Sequence, residues 1–317
     1  KITALLQIPE ADGMFQRGII ESGVLDGLGK DNCYTMLGLG YLYAMDSRPI
    51  VEALLEELHL DSVEALETVP YPQLAAAYNN VAPSLLAKGC YAGNSPMPND
   101  FYRGDPLEVG FTEHAKTIPL IVGSVMNEFK GFAPTANARI QEDGRGVIAG
   151  VYGKKNADVM IELFRKAFPG KSLRDLADMD DIFRRPSIAY LKLRAETCSA
   201  SSYSYMWIPD FDVDGGCGAW HCSEIPYVFR NTATTPYAHV EGGELLEDQI
   251  SGAWLSFART GDPNHAGLPH WPACQVGDEA CMIFDTTCEV RHNHDHALME
   301  AYAACSSGEV DRDKLEH

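Results

Sequence analysis

Positive charge is what this sequence has least of: 25 Lys and Arg stand against 45 Asp and Glu, a formal net charge of −20. A nucleic-acid partner needs a basic footprint and an anionic membrane surface attracts one, so the balance argues against both. No apolar run reaches the ~18 residues of a membrane-spanning helix. Internal repeats, low-complexity tracts and linkers are missing. So is any Gly-x-Ser-x-Gly stretch, the tight turn that presents a serine nucleophile. The nine cysteines are odd in number and spread along a long chain, which excludes a small disulfide scaffold. Reduced thiols and a cytoplasmic setting are expected, with secretion as the alternative.

What is present describes an ordinary globular protein. Hydrophobic residues make up 45% of 317, enough for a sizeable core in one large domain or two ordinary ones. The chain opens at Lys1 inside a helical pattern, with neither Met nor a signal peptide. It closes on Lys314-Leu315-Glu316-His317, where Leu-Glu-His resembles the start of a vector-encoded histidine tag, so residues 314–317 are set aside as a tag remnant.

Along the chain, Ile2 to Ile8 reads as helix interior without an N-cap, ended by Pro9. Phe15 to Gly23 reads as a short strand around Ile19-Ile20. Residues 31 to 88 are helical in pattern, clearest from Val51 to Leu60, with an N-cap signature at Asp61 and Glu64 near the capping-box position. Tyr91 to Pro106 is turn-rich. Ile118 to Val125 is a strong strand leading into Met126-Asn127-Glu128-Phe129. Helices are expected over Ala157 to Phe168, Ser187 to Cys198, Leu245 to Thr260 and Ala297 to Cys305. Strands are expected over Tyr203 to Ile208 and Ala280 to Phe284. Buried strands alternating with helices predict an α/β fold with a mostly parallel sheet in one domain.

Two residues fall just after strands. Glu128 follows Val125, and His221 lies in a Gly-rich loop after Ile208. Ligands and catalytic groups of open α/β sheets gather beyond the carboxyl ends of strands. An acid there can orient a histidine there, which makes the rear two-thirds of a Ser-His-acid triad. The alternatives are a solvated turn glutamate and a loop histidine without chemistry.

Four motifs then carry a resemblance. Pro9-Glu10-Ala11-Asp12-Gly13-Met14-Phe15-Gln16-Arg17-Gly18-Ile19-Ile20-Glu21-Ser22-Gly23 resembles the segment after the nucleophile elbow in type-B carboxylesterases, the family of para-nitrobenzyl esterases and cholinesterases. Pro119 to Glu128 resembles that family's acid turn, and Gly218-Ala219-Trp220-His221 with Glu224 its histidine loop. Trp254 to Asn264, followed by Trp271-Pro272, resembles its late helix and loop. The match runs from residue 1 to about 285, in the family's order.

The resemblance implies an α/β-hydrolase fold with helices on both faces of the sheet. Residues 1–313 would be the C-terminal portion of a single such domain, without its N-terminal part. It implies a carboxylic ester hydrolase acting through an acyl-enzyme on small-molecule esters, with no cofactor and no metal. Glu128 would be the triad acid, His221 the general base, and Ser22 a hydroxyl bonded to the acid, the alternative for Ser22 being a strand-end cap. The nucleophile would lie a handful of residues before Lys1, with the oxyanion loop further upstream. A companion N-terminal polypeptide of about 150–200 residues is therefore expected. Without it this chain is expected to be inactive, since an acid and a base alone cannot run acyl transfer. The chain also departs from the family: Phe129 stands where Gly is usual after the acid, and Cys222 where Gly is usual after the histidine. The alternative function is an adhesion or binding module of the same family that has lost the nucleophile; the retained Glu-His pair weighs against it.

Two further groupings compete for chemistry. His292, His294 and His296 alternate and would share one face of a strand, as a metal site does; the competing reading is a solvated turn. Cys222 adjoins His221, but nothing places it on an elbow, and it reads as an inert thiol.

Overall fold

The computed structural model describes residues 1–24, 32–34, 41–43, 48–88, 98–129, 135–180, 182–213 and 215–307. The chain divides into two compact units, Lys1–Leu25 with Pro106–His317, and Asp26–Asp105. The sequence reads as one domain over residues 1–313; the helical stretch it places there, residues 31–88, falls in the second unit.

The larger unit is built on a five-stranded sheet: β1 (Gly18–Glu21), β4 (Leu120–Val125), β5 (Ser202–Trp207), β6 (Ala280–Phe284) and β7 (Glu289–His292), in that spatial order. The first four run parallel, and β7 returns antiparallel on β6. Gly18 pairs with Leu120, Leu120 with Ser202 and Ser204 with Cys281. The central strands β4, β5 and β6 are buried at every position, as expected of parallel strands covered on both faces. Successive side chains feed opposite cores: Ile121 and Val125 join one cluster, Leu120 and Val122 the other.

Helices α1 (Ile2–Leu5), α4 (Pro106–Val109), α5 (Asn137–Tyr152), α6 (Ala157–Ala167), α7 (Leu173–Ala177), α8 (Arg184–Thr197), α9 (Ile225–Val228), α10 (Leu246–Thr260) and α11 (His296–Ser307) fill the connections. Tyr190 and Leu191 of α8 pack with Leu120 and Val122; Phe164 of α6, Phe257 of α10 and Leu298 of α11 pack with the opposite face. The sheet is thus mostly parallel, with helices on both faces. Gly123 in β4 permits one close approach: a Cβ there would stand 2.3 Å from the ring of Tyr205, so that ring lies directly over the strand.

The smaller unit holds a two-stranded antiparallel ribbon, β2 (Asn32–Tyr34) and β3 (Tyr41–Tyr43), and helices α2 (Arg48–Glu57) and α3 (Tyr71–Leu86). Ile50, Leu54 and Ala77 form their common core. The ribbon corrects the all-helical reading of 31–88. No α-helix starts at Asp61 either: Glu64–Thr68 is a 3-10 turn whose N-cap is Val63, without a side-chain cap. Residues 91–97 of the turn-rich segment 91–106 and all of residues 314–317 lie outside the described residues.

Candidate active site

The parallel strands end together, and three loops converge there. After β4 the chain stays tied to its neighbours: the Met126 N–H donates to the Trp207 carbonyl (3.0 Å) and the Asn127 N–H to the Ala219 carbonyl (2.9 Å). Glu128 follows with a φ of 25°, its side chain fully buried. Oε1 accepts from the Ser22 hydroxyl (2.6 Å) and the Val125 N–H (3.0 Å), and Oε2 lies 2.6 Å from Nδ1 of His221. The His221 N–H also donates to the Glu128 carbonyl at 3.0 Å. Residue 128 therefore holds residue 221 through both backbone and side chain. Gly218 lets the histidine loop come this close, because a Cβ there would lie 1.9 Å from Oδ1 of Asn127. On the far side of the loop, the Trp207 indole N–H donates to the Ser223 hydroxyl at 3.0 Å.

Ser22, Glu128 and His221, separate in sequence, are thus one hydrogen-bonded line. Ser22 has a φ of 47° and Cys222 a φ of 70°. With Glu128 they are three of the six non-glycine residues at positive φ among the described residues. Such backbone is costly, and it persists where surrounding bonds over-determine it. The His221 side chain is 28% exposed. With its Nδ1 proton committed to Glu128, the tautomer assigned by that bond leaves a lone pair on Nε2. Among the described residues no hydrogen bond occupies Nε2. A group so arranged can take a proton at Nε2 while the carboxylate stabilises the imidazolium.

The ground beneath the histidine is strongly acidic. Burial raises the Glu21 carboxyl above its ordinary range, partly offset by the Trp254 indole N–H at 2.7 Å. Burial, with Glu128 and Glu21 near, holds Glu224 well above that range, and its Oε2 has no hydrogen-bond partner among the described residues. Burial and the same carboxylates push the Tyr205 hydroxyl up as well. The Cys222 thiol is raised first by burial and then by Glu224, Glu128 and Glu21. A raised thiol is the opposite of an activated nucleophile, which supports its reading as inert. The sequence offered one signal for Glu224, its place three residues after His221, and one for Glu21, its place beside Ser22. Nothing there pointed to Tyr205.

The histidine trio does not gather. His292 ends β7 and pairs with Asp278 at 2.7 Å; Asn293 then takes a φ of 46°, and His296 opens α11. The alternation therefore does not continue along a strand, and the premise of a shared face fails. Ligand atoms of Glu279, Asp295 and His296 do lie within 4.8 Å of one another. A cation already sits between the two carboxylates: Arg184 donates to Asp295 at 2.7 and 2.6 Å and to Glu279 at 2.8 and 3.1 Å.

Comparison with known proteins gives one consistent answer. A family model described as the carboxylesterase family matches residues 1–301. Among curated relatives, para-nitrobenzyl esterase of Bacillus subtilis (strain 168) is 24% identical over 92% of this chain and 57% of its own length. Carboxylesterase 1C of Rattus norvegicus is 26% identical over 90% of this chain and 53% of its own. Among solved structures, an esterase from Clostridium hathewayi, titled as able to hydrolyse aliphatic aromatic polyesters, is 40% identical with a TM-score of 0.78. That similarity covers 96% of this chain and 59% of the other. A para-nitrobenzyl esterase structure at 22% identity and a TM-score of 0.62, covering 95% of this chain and 60% of its own, shares the fold. The chain spans somewhat over half the length of the curated relatives it matches.

Proposed function

The chain belongs to the carboxylesterase family, and from that premise we propose that it carries the acid and the base of a serine ester hydrolase whose nucleophile lies in a segment preceding Lys1. The observation that carries the proposal is the line from Ser22 through Glu128 to His221, with Nε2 unbonded at the ends of the parallel strands. In this reading His221 takes the proton of the serine as it attacks the ester carbonyl. It then returns that proton to the departing alcohol, leaving an acyl-enzyme, and activates water to release the acid. Glu128 fixes the ring's tautomer and stabilises the imidazolium, and Ser22 and the Val125 N–H fix Glu128. The oxyanion donors come from the preceding segment. Edge strand β1 pairs on one side only among the described residues, which supports a further strand of that segment adding there. The substrates are small carboxylic esters. Esters with aromatic groups are the first to try, given the 40% identity to the polyester-active esterase.

The test compares the 317-residue chain alone with the polypeptide that also holds the preceding segment. The isolated chain should leave a nitrophenyl ester at its background rate of hydrolysis. The longer polypeptide should hydrolyse it, and a serine-directed phosphonate should block the reaction by labelling a serine before Lys1. Hydrolysis by the isolated chain, or a label on one of its own residues, would refute the proposal.

A further inference from the structure

The ring of His221 has aromatic company that its hydrogen bonds do not require. The Phe129 ring centroid lies 4.7 Å from that of the imidazole, with planes 37° apart, and the Phe183 centroid lies 5.9 Å away, stacked at 10°. The two phenyl rings are 6.0 Å from each other. Rings on opposite faces of the imidazole would stand much further apart, so both phenyls lie to one side of it.

Both are mounted on the acid turn. Phe129 is the residue after Glu128. Phe183 precedes α8 in a segment fastened by Asp180: its backbone N–H donates to the Met126 carbonyl at 2.9 Å. The Asp180 carboxylate accepts the N–H groups of Ile182 (3.1 Å) and Phe183 (3.0 Å). Phe183 is 2% exposed, and Phe129 is half-buried. Acid and phenyl rings are therefore tied to the same turn.

A single bond from Nδ1 to a carboxylate fixes one atom of an imidazole. It leaves the ring able to tilt about the line of that bond and swing Nε2 away from its target. Flat packing against one face removes that freedom, since offset and tilted ring contacts have preferred geometry. We infer that Phe129 and Phe183 form an aromatic wall that sets the plane of the His221 ring, and that they are positioning residues for the proposed ester hydrolysis. The inference rests on His221 being the base. Phe129 occupies a position where a glycine would leave the imidazole face bare, so the wall is a feature of this chain's own sequence.

The experiment uses the polypeptide that includes the preceding segment and one activated ester, with His221→Ala, Phe129→Leu, Phe129→Met and Phe129→Tyr side by side. Leucine and methionine fill the space without a flat face; tyrosine keeps the face. Misplacing a reacting group by an ångström can cost about 100-fold. We expect Phe129→Leu and Phe129→Met to lower kcat between about 10- and 100-fold with KM within about twofold, and Phe129→Tyr to restore kcat to within about threefold. Histidine-selective NMR should show the His221 ring signals broadened in the leucine variant at unchanged melting temperature. An unchanged kcat in the leucine and methionine variants would overturn the wall. So would a rise in KM at constant kcat, which is the mark of a substrate contact, or a tyrosine variant as slow as leucine. If Phe129→Leu does not fold, the methionine variant carries the same reading. His221→Ala separates the premise from the inference: if it retains full kcat, the base assignment itself fails; if it is inactive and the leucine variant is not, only the wall fails.

Discussion

Among the described residues of the larger unit, two buried carboxylates each meet a half-buried histidine at 2.6 Å: Glu128 with His221 and Glu279 with His296. At His296 the charge is closed. Arg184, fully buried, spans Glu279 and Asp295 with four hydrogen bonds, and Ser204 also donates to Glu279. Burial is the largest single influence and works to raise both carboxyls, but Arg184, together with His296 at Glu279 and His294 at Asp295, outweighs it and holds both below their ordinary range. His294 beside them is pushed by burial down to about 4, and so is neutral at physiological pH. At His221 no Lys or Arg side chain pairs with Glu128 among the described residues, and Glu21 and Glu224 add further acid underneath. A short carboxylate–imidazole contact is therefore not diagnostic by itself. Its surroundings decide: one pair is saturated by a permanent cation, while the other meets no cationic Lys or Arg side chain among the described residues.

The largest expected effect breaks the open pair. In the polypeptide with its nucleophile, His221→Ala should cost roughly 10³-fold or more in kcat, and Glu128→Ala less. The double variant should match His221→Ala, because an orienter has nothing to orient once the base is gone. Steady-state kinetics on one activated ester decide it, and effects that multiply would contradict the assignment. Breaking the closed pair should strike stability instead. Arg184→Met leaves two buried carboxylates without their cation, at about 3–5 kcal/mol. Urea unfolding measures that loss, and adding Glu279→Gln and Asp295→Asn should recover part of it.

A smaller effect sharpens the electrostatic contrast through pH. Burial keeps the folded-state pKa of Glu224 above the unfolded value near 4.5. The folded chain then binds a proton that the unfolded chain has released. Stability from this group is full below about pH 4.5 and is lost as pH rises through the folded-state value. Glu224→Gln removes that dependence, so its melting temperature should gain on the parent's as pH is raised from 5 to 8. Equal slopes would show that Glu224 is ionised in the folded state. The smallest effect is at Cys222→Ala, expected to leave kcat near the parent value.

The sheet centre was legible in the sequence because β4 and β6 read as apolar runs and β5 as an alternation rich in aromatics, and all three are buried at every position. Glu128 and His221 were legible as residues just beyond such strands. β7 was missed: Glu289 and Arg291 alternate with Val290 on a strand that is nowhere buried, so no apolar signal marks it. Helix α5 was missed because Gly144, Gly146 and Gly150 dilute its periodicity and Asp143 breaks it with a φ of −151°. The ribbon of β2 and β3 lies in a stretch dominated by its helical neighbours. At the site, chain order and spacing could not show that Phe183 reaches His221. That contact depends on Asp180 binding back to Met126, a link made only in three dimensions.

Gly123 has a consequence best put in the language of genetics. Its missing side chain lets Tyr205 lie over β4, with its hydroxyl among the carboxylates beneath His221. Gly123→Ala would lift that ring without altering any residue of the proposed catalytic line. On the proposed function, a random-mutagenesis screen for lost ester hydrolysis, run on the polypeptide that includes the preceding segment, should therefore return codon 123 alongside codons 128 and 221. Its alleles should differ in kind, conditional on temperature where those at codons 128 and 221 are impaired at every temperature.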